Sequence, residues 1–145
     1  MTEWTLKDGE RLDDLVRDGM RLIQRPDQFC FSVDSVLLAH YVKPKAKDRI
    51  ADLGTGTGVI SLLVSALGGR DITAFEVNPV MADLARRNIA GNGKEDRIHV
   101  VECDYRKVNE RFPSGSFSLV LAKPPYREMG TGKMSRLEGV ASASY

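Results

Sequence analysis

"RIADLGTGTGVISLLVSAL", residues 49–67, packs an apolar run, a glycine-rich turn and a second apolar run into one short stretch. The first run, "RIADL", is brief and bounded by turn residues, which reads as a buried strand. The second, "VISLLVSAL", has helical length and stops at Gly68 and Gly69. Between them Gly54, Gly56 and Gly58 allow a tight turn that brings bare backbone close to a ligand. Strand, glycine turn and helix together open a β-α-β unit.

The pattern repeats downstream. "DITAFEV" is strand-like, and "NPVMADLARRNIAG" reads as a helix with Asn78 as its cap and Pro79 at its first position. That helix is expected to turn Val80, Met81, Leu84 and Ala85 largely to one side. The strand "RIHVVEC", a short polar helix or loop through "YRKVNERFPSGS", and the strand "FSLVLA" follow. This alternation implies an α/β fold with a Rossmann-like, mostly parallel, doubly wound sheet.

Upstream the texture differs. "GMRLIQ" and "FCFSV" are short β-rich runs separated by "RPDQ", and "DSVLLAHYV" reads as a helix capped by Ser32 or Asp34. The chain therefore divides into a β-β-α segment over 1–47, a ligand-binding core over 48–126, and a tail over 127–145 that is flexible or truncated. The tail "REMGTGKMSRLEGVASASY" holds no strand-like run, so the last strand is expected at an open edge that a homodimer could cover.

Composition narrows the function. With 145 residues, 42% hydrophobic content and a net charge of +1, the chain suits a single domain with no global basic field. There is no apolar run of membrane-spanning length, and the charged start "MTEWTLKDGERLDD" is unlike a secretory signal, which points to a soluble cytoplasmic protein with no membrane partner. Cys30 and Cys103, both expected within strands and without CxxC spacing, read as buried small side chains rather than a disulfide. His40 and His99 are isolated, so no metal is assigned.

In a sheet of this kind ligands bind at the carboxyl ends of the strands. Glu76, 18 residues beyond Gly58, ends the second core strand, where a carboxylate can accept both hydroxyls of a ribose. Asp104 follows the third, placed to accept from an exocyclic amine such as that of adenine. Each could instead cap a helix, but their succession outlines an adenosine site. The glycines read G-x-G-x-G, not the dinucleotide G-x-G-x-x-G, and Asp52 precedes them, where a carboxylate would repel a pyrophosphate. S-adenosylmethionine, with its cationic amino-acid end, fits better than a nicotinamide dinucleotide.

"DLGTGTG", "FEVNP", "ECDY" and "KPPY", in that order, resemble the successive motifs of the class I S-adenosylmethionine-dependent methyltransferases. With "ERLDDLVRDGMRLIQRPDQFCFSVDSVLLAHYV" and "PPYREMGTGK" added, residues 10 to about 133 resemble the bacterial valine-tRNA adenine-N6 methyltransferases. The resemblance implies a tRNA substrate and cofactor contacts at Phe31 and Asp34. It also places Asp52, Gly54, Thr55, Gly56 and Gly58 around the methionine end, Glu76 at the ribose, and Asp104 with Tyr105 at the adenine.

The same resemblance makes Lys123, Pro124, Pro125 and Tyr126 the corner for the target base. The prolines stop the strand and hold a carbonyl outward, and Tyr126 would stack on a flipped adenine. The family's motif begins with Asn, Asp or Ser, an acceptor for the target amine, whereas Lys123 has three donors and no acceptor. The resemblance also implies further strands beyond this corner. Those two departures support an alternative: a cofactor-binding or interaction module impaired in turnover. Lys43, Lys45, Lys47, Arg49, Arg127, Lys133 and Arg136 are candidate contacts to RNA phosphates, with scattered solvated charges as the other reading.

Overall fold

The computed structural model of the chain describes residues 4–15, 19–26, 33–122 and 140–142. Two strands, β1 (Arg11–Asp14) and β2 (Arg21–Gln24), precede helix α1 (Val33–Val42). The core then runs β3 (Arg49–Leu53), α2 (Val59–Ala66), β4 (Asp71–Glu76), α3 (Pro79–Gly91), β5 (Ile98–Glu102), a 3-10 helix over Tyr105–Glu110, β6 (Leu119–Ala122) and β7 (Val140–Ser142).

The main sheet has the order β5-β4-β3-β6-β7. The pairs β3–β4, β4–β5 and β3–β6 are parallel, as the alternation of strand and helix requires. The chain steps outward from β3 to β4 and β5, then returns to β3's other side as β6. The order therefore reverses between β3 and β6, and the glycine turn leaves β3 at that crevice. Ala122, at the end of β6, is paired in register with Leu53, at the end of β3.

Both faces of the sheet are packed. Ile50, Ile72, Ala74, Ile98 and Leu121 point to one face, where α2 supplies Ile60, Leu62, Leu63 and Val64, α1 supplies Leu38, and α3 supplies Ile89. Leu22 of β2 enters the same core. Ala51, Leu53, Phe75 and Val120 point to the other face, against Val108, Phe112 and Phe117. There Phe75 meets Phe112 and Phe117 edge-on, with ring centroids 5.6 and 6.0 Å apart. Among the described residues, double winding thus takes the form of one helical layer and one aromatic layer.

Several sequence expectations need correction. The N-terminal strand pair is β1 with β2, antiparallel, with Leu12 opposite Ile23; "RLDD" supplies a strand that its charge had hidden. "FCFSV" falls largely outside the described residues, and Val33 belongs to α1. Asp34 lies inside α1 and so is not its cap, and Ser32 lies outside the described residues. Asn78 does cap α3, accepting from the backbone N–H of Val80 at 2.9 Å and of Met81 at 3.3 Å. Val80, however, is exposed on the first turn of that helix, while Met81, Leu84 and Ala85 are buried. Cys103 lies just past β5 and is half-buried.

The tail also differs. Val140–Ser142 runs antiparallel to β6, with Val120 opposite Ala141. A three-residue ladder needs backbone alignment more than an apolar run, which is why composition conceals it. The β6 edge on which the dimer expectation rested is paired.

The N-terminal hairpin is fastened to α3. Glu10, its side chain 1% exposed, forms a two-pronged ion pair with Arg87, which also bonds Asp83 at 3.0 Å. Trp4 covers the end of the helix: a Cβ at Gly91 would stand 2.3 Å from its indole ring. Only a glycine permits that contact.

Candidate functional site

The carboxyl end of β3 becomes the glycine turn because Gly54, Gly56 and Gly58 all take left-handed backbone, with φ of 73°, 58° and 88°. Phe75 of the neighbouring strand accepts two turn N–H groups on its carbonyl, from Gly54 and Thr55, each at 2.8 Å. Gly54 is exposed, and nothing lies within 4 Å of where its Cβ would be. That open space is the cradle a ligand would enter. Gly58 instead faces Ala85 of α3, with 3.5 Å between its notional Cβ and that of Ala85.

Asp52 lies beneath this turn, 1% exposed. Its Oδ2 accepts from the hydroxyls of Thr55 and Ser61, each at 2.7 Å, so it ties the turn to the first residues of α2. Burial pushes its carboxyl above the ordinary Asp value of 3.8; the two hydroxyls oppose that shift and the nearby Glu76 charge adds to it. Asp52 therefore supports the loop from below.

Glu76, at the end of β4, is half-buried and held by backbone on both oxygens. Oε1 accepts the N–H of Gly56 at 2.8 Å and Oε2 that of Asn78 at 3.1 Å. One carboxylate thus spans the glycine turn and the cap of α3. Val77, next in the chain, is an apolar side chain left 64% exposed beside it. Sequence reading passed over Val77 as the end of a strand; its place immediately after Glu76 was the available signal.

Asp104 caps the 3-10 helix, accepting from the backbone N–H of Arg106 at 3.0 Å. It is also gripped by the Arg106 guanidinium, with Nε 2.9 Å from Oδ1. These bonds pull its carboxyl down to about 2. The expected amine acceptor is thus occupied by a neighbouring arginine on an exposed surface.

Asp52 is hydrogen-bonded to Thr55 and Glu76 to Gly56, and Gly54 and Gly58 belong to the same turn. Asp104 follows the neighbouring strand, β5, at the same end of the sheet. Phe31, Lys123, Pro124, Pro125 and Tyr126 lie outside the described residues, as do Cys30, Arg127, Lys133 and Arg136. For Asp34 and Tyr105 the described part is the backbone, which lies in α1 and in the first position of the 3-10 helix. Lys43, Lys45, Lys47 and Arg49 lead into the start of β3, about 13 Å along the strand from the glycine turn. No helix among the described residues is long and apolar enough to cross a membrane.

Known proteins resemble this chain in sequence and in fold. A family model described as the methyltransferase small domain matches residues 20–141. The tRNA1(Val) (adenine(37)-N6)-methyltransferase of Shewanella amazonensis is 34% identical over 114 residues, covering 79% of this chain and 48% of that protein. Its counterpart in Bacteroides thetaiotaomicron is 33% identical over 95 residues, covering 64% of this chain and 39% of that protein. The chain spans about half the length, or less, of these curated relatives. Among solved structures, Pyrococcus horikoshii TYW2 in complex with MeSAdo superposes with a TM-score of 0.58 at 25% identity, over 74% of this chain and 39% of that one. Methanocaldococcus jannaschii Trm5 in complex with adenosine superposes with a TM-score of 0.64 at 20% identity, over 85% of this chain and 37% of that one. The glycine turn after β3, the braced carboxylate after β4 and the sequence match over most of its length lead to one assignment: the chain belongs to the methyltransferase small domain family.

Proposed function

We propose that the chain binds S-adenosylmethionine at the carboxyl ends of β3, β4 and β5, and that the protein transfers its methyl group to the N6 amine of an adenine in tRNA. The observation that carries the binding reading is Glu76, fixed by the Gly56 and Asn78 N–H groups beside an open glycine turn. So held, its carboxylate keeps lone pairs for the two ribose hydroxyls. The exposed Val77 offers an apolar surface for the base, and Asp104 an acceptor for its amine once Arg106 moves aside. Gly54 admits the methionine end, above the buried Asp52 carboxyl, whose ionised form a cationic ligand favours. The cofactor, when bound, supplies an electrophilic methyl group on a sulfonium, and the protein's contribution is to position it and the acceptor amine. Names carried by the curated relatives support tRNA adenine as that acceptor.

Lys123 favours a second reading, binding without turnover, because it stands where the family's motif needs an acceptor for the amine. Calorimetric titration with S-adenosylmethionine and NADH, then a methyl-transfer assay on unmodified tRNA, tests both readings. Binding of S-adenosylmethionine alone, with transfer that rises in Lys123→Asn, is the expected result. Binding of neither cofactor would remove the central proposal, and an unchanged absence of transfer in Lys123→Asn would favour the second reading.

A further inference from the structure

Asn88 lies on the inner side of α3 with 0% of its surface exposed. Its Oδ1 accepts the N–H of Ile23 at 2.6 Å, and its Nδ2 donates to the Ile23 carbonyl at 3.0 Å. One turn later Asn92 does the same for Arg21: Oδ1 accepts the N–H at 2.9 Å and Nδ2 donates to the carbonyl at 2.7 Å. Two primary amides at i and i+4 therefore meet alternate residues of β2, each offering an acceptor and a donor side by side as a strand peptide would. They complete the β2 edge that faces away from β1.

The two asparagines differ in their third bond. Asn92 turns back to its own helix, donating to the Asn88 carbonyl at 2.8 Å. Asn88 reaches forward and donates to the Thr57 carbonyl at 2.9 Å, within the glycine turn. One buried side chain thus joins three segments far apart in sequence: the N-terminal hairpin, α3 and the turn. Buried amides with several partners fix geometry strongly, because an unmade bond there leaves a desolvated polar group.

We propose that Asn88 is a positioning residue for the methionine half of the cofactor, setting the Thr57 peptide and making the shape of the turn depend on the docked hairpin. This inference rests on the reading of the turn as the S-adenosylmethionine site. Two consequences follow. Loss of the Asn88 donors disturbs the Thr57 end of the turn directly and reaches Glu76 only through Gly56, while Glu76 keeps its second hold on the Asn78 N–H, so an amino-acid-bearing ligand suffers more than a bare nucleoside. And because coupling between sites is reciprocal, a ligand in the turn tightens the hairpin it never touches.

Titrations of the full chain with S-adenosylhomocysteine and with adenosine test this. Asn88→Asp keeps the acceptor and loses both donors; Asn88→Leu loses all three bonds. Both variants should bind S-adenosylhomocysteine about tenfold more weakly, the loss of one buried bond, while adenosine changes less than about twofold. Asn92→Ala, which frees Arg21 but leaves Thr57 held, should change neither affinity by more than about twofold. Equal losses for both ligands, or a lower melting temperature with unchanged affinities, would make Asn88 a purely structural residue and overturn the proposal. Should the Asn88 variants not fold, hydrogen exchange on the unmodified chain decides: S-adenosylhomocysteine should slow exchange of the Ile23 amide, and an unchanged rate overturns the proposal. A chain that binds neither ligand overturns the cofactor reading itself, a result distinct from binding that ignores Asn88.

Discussion

Glu76 receives the backbone N–H of Gly56 at 2.8 Å, so the carboxylate that ends β4 is held by the turn that ends β3. In Glu76→Gln one oxygen becomes an NH₂ group, which must face either a backbone N–H or a ribose hydroxyl. Loss of charge-assisted bonds of this kind is worth about 1.5–3 kcal/mol, or roughly ten- to a hundredfold in affinity. Calorimetry with adenosine and with S-adenosylmethionine should show both weakened by that factor. Unaltered affinity for adenosine would take Glu76 out of the ribose site.

Asp52 gives a pH signature. Its carboxyl is raised above 3.8 by burial, so its contribution to stability is complete below that ordinary value and is lost as pH rises through the raised folded value. Asn in its place stays neutral and its oxygen can still accept from Thr55 and Ser61. Asp52→Asn should therefore melt above the parent at pH 8, with the gap closing as pH falls. A cationic cofactor favours the ionised form, so the parent's affinity for S-adenosylmethionine should rise with pH across that titration, unlike its affinity for adenosine. A pH-independent ratio of the two affinities would count against Asp52 as the charge beneath the methionine end.

The Glu10–Arg87 pair has the opposite sign. Arg87 holds the Glu10 carboxyl below its ordinary 4.5, so this anchorage is intact above that value and is lost as pH falls through the lowered folded one. Arg87→Met leaves a buried carboxylate without its partner and should cost about 2 kcal/mol at neutral pH. The acid limb of its stability curve should be flatter than the parent's, as denaturant melts between pH 3 and 7 can measure.

Lys43 follows α1 with φ of 51°, the left-handed region that an L side chain enters at a cost of about 1–2 kcal/mol. Lys43→Gly should stabilise the chain by about 1 kcal/mol, after the added entropy of the unfolded glycine is allowed for. Its position before β3, at the far end of the sheet from the turn, predicts unchanged ligand affinity in the same preparation.

The core alternation from β3 to β6 was legible because each element is bounded by its own local signals. Gly54–Gly58 end β3, Gly68 and Gly69 follow α2, and Asn78 with Pro79 opens α3. The hairpin was not, because β1 reads as charged surface and is secured by partners distant in sequence, Glu10 by Arg87 and Ile23 by Asn88. The same holds within the site. Residue types at the strand ends pointed to Asp52, Glu76 and Asp104, but the partners that hold the first two, such as Ser61 and the Gly56 N–H, emerge only from folding. The short β7 was invisible for a simpler reason: three residues carry no period.

Trp4, resting on Gly91, is the chain's one tryptophan. All of its indole fluorescence therefore originates where the leading segment meets α3, and none from the glycine turn. Emission is an optical gauge of hairpin attachment that needs no label. A ligand that shifts the spectrum does so by conformational transmission through the helix, because the chromophore lies outside the crevice where that ligand would bind.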